Sequence, residues 1–549
     1  MFLRTQTVSG HVYLLLVENE RVDGHVRQRV VQRFGELDAL RTSGQLDAIV
    51  AGLGRFSERL AVLGAVGRGT HVQSEAHRVG GPLVFERLWE STGLADVVRE
   101  AAAGRHFGFS LERAVFLTVL HRLLAPGSDR AAERWKDGYQ IAGTDGLQLH
   151  QLYRAMAWLG EVLPAAEQWG ATPFAPRTRK DLIEERLFAR RHTLFSDLSL
   201  VFFDTTSIYF EGEGGETIGH YGHSKDHRPD RKQMVVGAVL DLEGRPLCCE
   251  IWPGNTTDVK SLLPIVERLR TRFQIGEVCI VADRGMISQA VIDEIDDRDV
   301  CWYILGVRMR AVRAMRDLLA ADDGPYQEVF PRTGDKKRPA PLKVRGVTLD
   351  DREYVLCLNE DEATKDRHDR EAIVAALHDA LRQGDTALVG NKGYRRYLAN
   401  RGHRFEIDEA KVLADARFDG KWVLTTNTGL DPETTALAYK QLWTVESLFR
   451  SMKSVLDTRP VYHKCDETIR GHVFCSFLAL VLRTVLEDRL AARHWKLEWH
   501  DILQDLDRLE ETTVTIDDKG YVIRTDPRGT VGKVFQATAT ALPPVIRPC

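Results

Sequence analysis

Two apolar runs that each end in an aspartate constrain this chain more than anything else in it. Leu198–Phe203 is apolar except for Ser199 and ends in Asp204-Thr205-Thr206, and Glu277–Ala282 ends in Asp283-Arg284-Gly285. Short apolar runs bounded by turn residues predict buried strands. Between them, Gln233–Leu240 and Pro246–Trp252 predict two further strands around an Asp241–Arg245 turn. Residues 257–273 carry helical spacing at Val259, Leu262, Leu263, Val266, Leu269 and Phe273. A helix over Ser288–Ile295 and a fifth strand over Cys301–Val307 complete the order β-β-β-α-β-α-β. Strands with short links form an antiparallel meander, whereas a strand reached through a helical crossover lies parallel to its neighbour. Pairing the fourth strand with the first would therefore bring Asp204 and Asp283 out side by side.

This is the strand order of a ribonuclease-H-like α/β core. An aspartate at a strand end is often only a turn residue, but two on neighbouring strands repel each other unless a cation neutralises them. An oxygen-rich pair suits Mg²⁺ or Mn²⁺ and leaves room for water and phosphate. A third carboxylate comes later. Asp431-Pro432 fits the cap and first position of a long helix whose apolar stripe is Leu442, Val445, Phe449, Met452 and Leu456. Tyr439, Glu446 and Lys453, seven apart, form a second stripe that Arg450 joins. Glu446 can complete the metal set there, with Arg450 and Lys453 on phosphates. The alternative is a surface Glu446–Arg450 ion pair.

The remaining chemistry is basic. His220, His223 and His227 have the spacing of a transition-metal site. Their loop has no cysteine partner and also holds Lys225, Arg228, Arg231 and Lys232, which suits phosphate contacts better. Residues 306–345 carry more Lys and Arg than Asp and Glu, a local positive surface on a chain of net charge −4. Eight cysteines form no Cys-x-x-Cys pair, which argues against structural zinc or a disulfide framework. A 43% hydrophobic, 28% charged composition excludes a disordered or fibrous chain. The longest apolar stretch, Phe474–Leu482, is too short for a membrane span, and no export signal is seen at the N-terminus.

Five segments are expected: a hairpin and helix over 1–79, a helical region over 80–195, the first part of the core over 196–307, a β-rich insertion over 308–430, and the rest of the core with C-terminal helices over 431–549. The motifs resemble those of the DDE transposases of bacterial insertion sequences with an interrupted ribonuclease-H-like core. The resemblance is carried by Phe203–Thr206, Tyr221–Gln233, Pro253–Asp258, Ala282–Met286, Tyr439–Lys453, Arg459–His463 and Gly471-His472, with His121-Arg122, Pro126, Ser128 and Trp135 upstream. The family's third-carboxylate signature places an arginine where this chain has Leu442. The resemblance implies Asp204, Asp283 and Glu446 as catalytic ligands of two Mg²⁺ or Mn²⁺ ions. It also implies DNA contacts at Lys225, Arg228, Arg231, Arg284, Tyr439, Arg450 and Lys453. The implied activity is cleavage at transposon ends and strand transfer into target DNA. The segment 80–195 would bind DNA ends, and the protein would act in the bacterial cytoplasm at the nucleoid, as a homodimer or larger assembly on DNA without membrane attachment. The alternatives are a metal-dependent nuclease that cuts without joining, or an inactive or regulatory DNA-binding relic.

Overall fold

In a computed structural model, the structure describes residues 1–22, 25–54, 73–169, 171, 175–191, 200–273, 278–283, 289–298, 301–307, 309, 313–320, 324–329, 342–383, 394–401, 404–516 and 519–549. They fall into two compact units, one of residues 1–84, 137–140 and 494–549 and the other of residues 85–136 and 141–493.

The first unit opens with an antiparallel meander of β1 (Phe2–Val8), β2 (His11–Val22) and β3 (His25–Glu36), followed by helices Leu37–Thr42 and Gln45–Gly54. The expected hairpin is present with an extra strand before it; its turn at Asp23-Gly24 lies outside the described residues. A second sheet pairs β4 (Gln73–Arg78) with β16 (Glu510–Ile516), then β17 (Lys519–Arg524) and β18 (Ile546–Pro548).

The second unit is built on a nine-stranded mixed sheet. Its strands are β5 (Leu200–Tyr209), β6 (Gln233–Leu240), β7 (Pro246–Pro253), β8 (Cys279–Ala282), β9 (Trp302–Gly306), β10 (Gln327–Val329), β11 (Leu342–Leu349), β12 (Arg352–Asn359) and β15 (Lys421–Thr426). A separate hairpin joins β13 (Leu398–Arg401) to β14 (Arg404–Ile407). The sheet runs β10-β11-β12-β15-β9-β8-β5-β6-β7. The β5-β6-β7 part is antiparallel, and β8 and β9 lie parallel to β5, an arrangement consistent with a ribonuclease-H-like transposase core. The insertion does not stand apart, because β15 pairs with β9 and carries β12, β11 and β10 outward in the same sheet.

Strand alternation decides which face each side chain takes. Val201 and Phe203 of β5, with Ile280 and Ala282 of β8, pack into one core against Val266 and Leu269 of helix Asp258–Phe273 and Ile292 and Ile295 of helix Gln289–Arg298. Phe202, Asp204, Val281 and Asp283 therefore take the opposite face. Packing on the first face is tight at Gly237, where a Cβ would lie 2.7 Å from Trp252 and 2.9 Å from Phe203. Helix Arg179–Arg191 is tied to the sheet by a buried ionic network: Arg268 donates to Asp181 Oδ1 at 2.7 Å, and Arg272 donates to Glu250 Oε1 at 2.8 Å.

Helix Asp466–Ala491 is long and apolar enough to cross a membrane by length and composition, but most of it is buried inside the fold. It packs against helices Leu111–Leu124 and Leu149–Leu159 and against β7. The helices meet at a very short distance, since a Cβ on Gly471 would lie 2.0 Å from the Met156 carbonyl oxygen.

The single long helix expected after Asp431 is divided. Asp431 caps it, accepting from the Thr434 amide at 3.0 Å, but the α-helix ends at Lys440. Gln441 and Leu442 make bonds to Ala438 and Tyr439, three residues back, at 3.0 Å. The helix resumes over Trp443–Arg450 and widens into a π turn over Ser451–Val455. Leu442, Val445, Phe449, Met452 and Leu456 are all buried. Their steps of three and four stay close to an α-helical turn and put all five on the inward face.

Candidate active site

The level of the two aspartates follows from register. Phe202 and Val281 are partners across the parallel β5–β8 pair, and Asp204 and Asp283 each lie two residues further on. They thus share a face and a height on strands about 4.8 Å apart. Asp204 is half-buried, and its Oδ1 accepts from the Thr205 amide at 2.7 Å. Lys225 brings its ammonium to 3.9 Å from that oxygen while donating to the Thr205 carbonyl and hydroxyl at 2.8 and 2.9 Å. Asp283 is exposed and accepts from the Tyr439 hydroxyl at 2.8 Å.

Helices Pro432–Lys440 and Trp443–Arg450 lie over this face, the first against β8 and β9 and the second against β5 and β6. They place exposed Glu446 in the same cleft as Asp204 and Asp283. The cleft measures about 390 Å³. Tyr439, Lys440, Trp443 and Glu362 also line it. Lys440 is the only Lys or Arg among the described lining residues, facing four carboxylates. Leu442 stands at the family's arginine position and is buried, 8% exposed. Lys440, Glu362 and Trp443 carry no distinctive spacing; only their presence beside the three acids marks them.

The other described candidates are not among the residues lining the cleft. Arg228 makes a two-pronged pair with Asp230 at 2.9 Å and lies over the Tyr209 ring, and Arg231 meets Glu211 at 2.8 Å. Arg450 is exposed on the Glu446 helix. Lys453 donates to Asp226 Oδ1 at 2.7 Å, and burial pushes its ammonium down despite that partner. Arg284 lies outside the described residues, as do six of the ten Lys and Arg residues of the stretch 306–345.

Three side chains whose ligand atoms all lie within 4.8 Å of one another are found, among the described residues, at Asp129, His463 and His472. The set at His220, His223 and His227 does not converge in this way. The Asp129 group is already satisfied internally. Arg122 can only donate, so at 2.9 Å it occupies His472 Nδ1, and His472 Nε2 donates to the Thr458 carbonyl at 3.1 Å. The same guanidinium stands 3.3 Å from Asp129. An added cation would face it directly. The oxygens of Asp204, Asp283 and Glu446 spread more widely, yet they are hard donors on one open cleft, which is the donor chemistry that Mg²⁺ or Mn²⁺ takes.

β5 runs on past Asp204 to Tyr209, so the first acid lies within its strand and Asp283 just beyond the end of β8. An α/β sheet carrying such acids side by side on adjacent parallel strands is the setting of a nucleic-acid-processing enzyme. Comparison with family models matches residues 195–482 to the transposase DDE domain and residues 3–65 to the IS1634 family transposase N-terminal domain. The first match covers more than half of the chain and all three carboxylates, and the chain belongs to the insertion-sequence DDE transposases. A comparison with curated proteins found no match.

Proposed function

We propose that this transposase cuts DNA at the ends of its element and joins the freed 3′ ends to target DNA, with Asp204, Asp283 and Glu446 as ligands of two divalent ions. The observation that supports this most is the single cleft shared by the three acids, all inside the matched domain. Bound Mg²⁺ or Mn²⁺ would supply Lewis-acid activation of the attacking oxygen and charge stabilisation at the leaving oxygen. The protein's own groups prepare the site. The Tyr439 hydroxyl holds one oxygen of Asp283 and leaves the other for a ligand. Lys225 offsets the charge of Asp204. Lys440 is placed to meet the phosphate being attacked, in the role Leu442 cannot fill.

Arg228, Arg231, Arg284 and Arg450 are proposed to follow the DNA backbone, contacts that orient the duplex without reading its sequence, whereas Lys453 is committed to Asp226. Residues 80–195 and the amino-terminal segment would hold the element's ends. Joining two ends calls for at least a dimer on DNA. The finer core assignment, a ribonuclease-H-like unit in two parts (196–307 and 431–549) around an insertion at 308–430, belongs to the same proposal, as does action at the nucleoid.

The test uses duplexes made from the DNA flanking the reading frame. Asp204→Ala, Asp283→Ala and Glu446→Ala should each lower cleavage and strand transfer by more than about a thousandfold, with DNA binding within about threefold. Retained cleavage in any of the three overturns the assignment.

A further inference from the structure

The loop between β5 and β6 contains a carboxylate that the transposition chemistry above does not use. Asp226 is buried, its side chain 3% exposed. Its Oδ1 accepts from Lys453 Nζ at 2.7 Å and from Arg459. Its Oδ2 is buried with no hydrogen-bond partner among the described residues. An open buried acceptor is costly, and the hydrogen bonds from two cations to the other oxygen offset that cost.

The position in the chain gives this pair its meaning. Lys225, the preceding residue, is pinned to the Asp204 strand: its amide donates to Ser207 Oγ at 2.8 Å and its ammonium to Thr205. Asp226 reaches the other way, to the π turn Ser451–Val455 and to Arg459 beyond it. One dipeptide therefore grips both the strand that carries Asp204 and the chain that continues from Glu446. Asp226 also offsets the repulsion that Arg459 and Lys225 exert on the Lys453 ammonium.

We propose that Asp226 is a positioning residue that sets Glu446 against Asp204 by latching Lys453 and Arg459 to the β5–β6 loop. The inference rests on the functional reading above, and its consequence is specific. Losing the latch should loosen the third metal ligand rather than the grip on DNA.

The experiment uses the full chain as wild type, Asp226→Asn, Asp226→Glu, Lys453→Met and the Asp226→Asn/Lys453→Met double variant. Cleavage rate is followed against Mn²⁺ concentration, alongside DNA binding by anisotropy and amide hydrogen exchange over residues 443–456. Asp226→Asn should raise the Mn²⁺ needed for half-maximal rate by about 10- to 100-fold, with DNA affinity within about threefold. Asp226→Glu, which keeps the charge, should lie nearer wild type. The double variant should be no worse than the more damaging single, because both break one contact. Exchange over 443–456 should quicken in Asp226→Asn while β5–β7 stay protected. An unchanged Mn²⁺ requirement, additive singles or unaltered exchange would each overturn the inference. A wild-type protein that does not cleave, yet shows the exchange difference, would overturn the functional reading and leave the latch standing.

Discussion

The Tyr439 hydroxyl donates to Asp283 Oδ1 at 2.8 Å, tying helix Pro432–Lys440 to the end of β8 across 156 residues of chain. Tyr439→Phe removes that donor while keeping the ring. Its expected effect is a rise of about tenfold in the Mg²⁺ or Mn²⁺ needed for half-maximal cleavage, the size seen when a ligand loses its supporting hydrogen bond. Metal titration of the cleavage rate checks it, and an unchanged requirement would show that Asp283 needs no such support.

On the proposed reading the three acids hold cations in the folded state alone, so added cation should stabilise the fold. At a concentration about 100 times the dissociation constant, Mn²⁺ should add about 2.7 kcal/mol to the stability of the unit. Thermal denaturation should show an upward shift with added Mn²⁺ that chelation reverses. The shift should shrink in Asp204→Asn.

Lys440 is the one Lys or Arg among the described residues lining the cleft, so Lys440→Ala should weaken DNA binding in a salt-dependent way. The slope of log affinity against log salt should become shallower by about one. An unaltered slope would place the phosphate elsewhere.

Acid should destabilise the second unit from about pH 6.5 downward, where two buried histidines would take up protons on unfolding. Burial, reinforced by Arg122, lowers His121 to about 4 and His472 to about 3. Both are neutral in the fold and take up protons on unfolding below their ordinary value near 6.5. Their contribution is thus fully present above 6.5 and lost as pH falls toward 4 and then 3, by about 1.4 kcal/mol per pH unit for each. Asp241, raised to about 6 by burial, opposes this between its ordinary value of 3.8 and 6. Glu184, also raised by burial, opposes it too, but the two histidines' shifts are the larger, so thermal stability should fall from pH 6.5 to 4. His472→Gln should flatten that dependence.

Gly471→Ala should cost several kcal/mol, because its methyl group would be 2.0 Å from the Met156 backbone oxygen and neither helix can yield alone. Equilibrium denaturation measures it directly.

Much of the core was legible because its signals are local. Apolar runs closed by Asp204 and Asp283 mark strands, and the β-β-β-α-β order fixes their pairing. Asp431-Pro432 likewise announces a helix start. What could not be read depends on contacts between distant segments. The break at Gln441-Leu442 contains neither glycine nor proline to announce it. Lys453 looks like any signature cation until Asp226, more than 200 residues earlier, is found holding it. The strands after residue 308 showed their β character but not their destination, since nothing local in Trp422–Thr425 says that β15 will pair with β9.

That last pairing shapes how the molecule can move. Because Leu424, Thr425 and Thr426 bond directly alongside Gly306, Leu305 and Ile304, the inserted strands are a rigid extension of the floor on which the acids stand. A duplex pressing on that outer wing could not fold it over like a flap. Any force would arrive at Asp283 as a twist passed from strand to strand, giving contacts far along the DNA a mechanical route to the place where the backbone is cut.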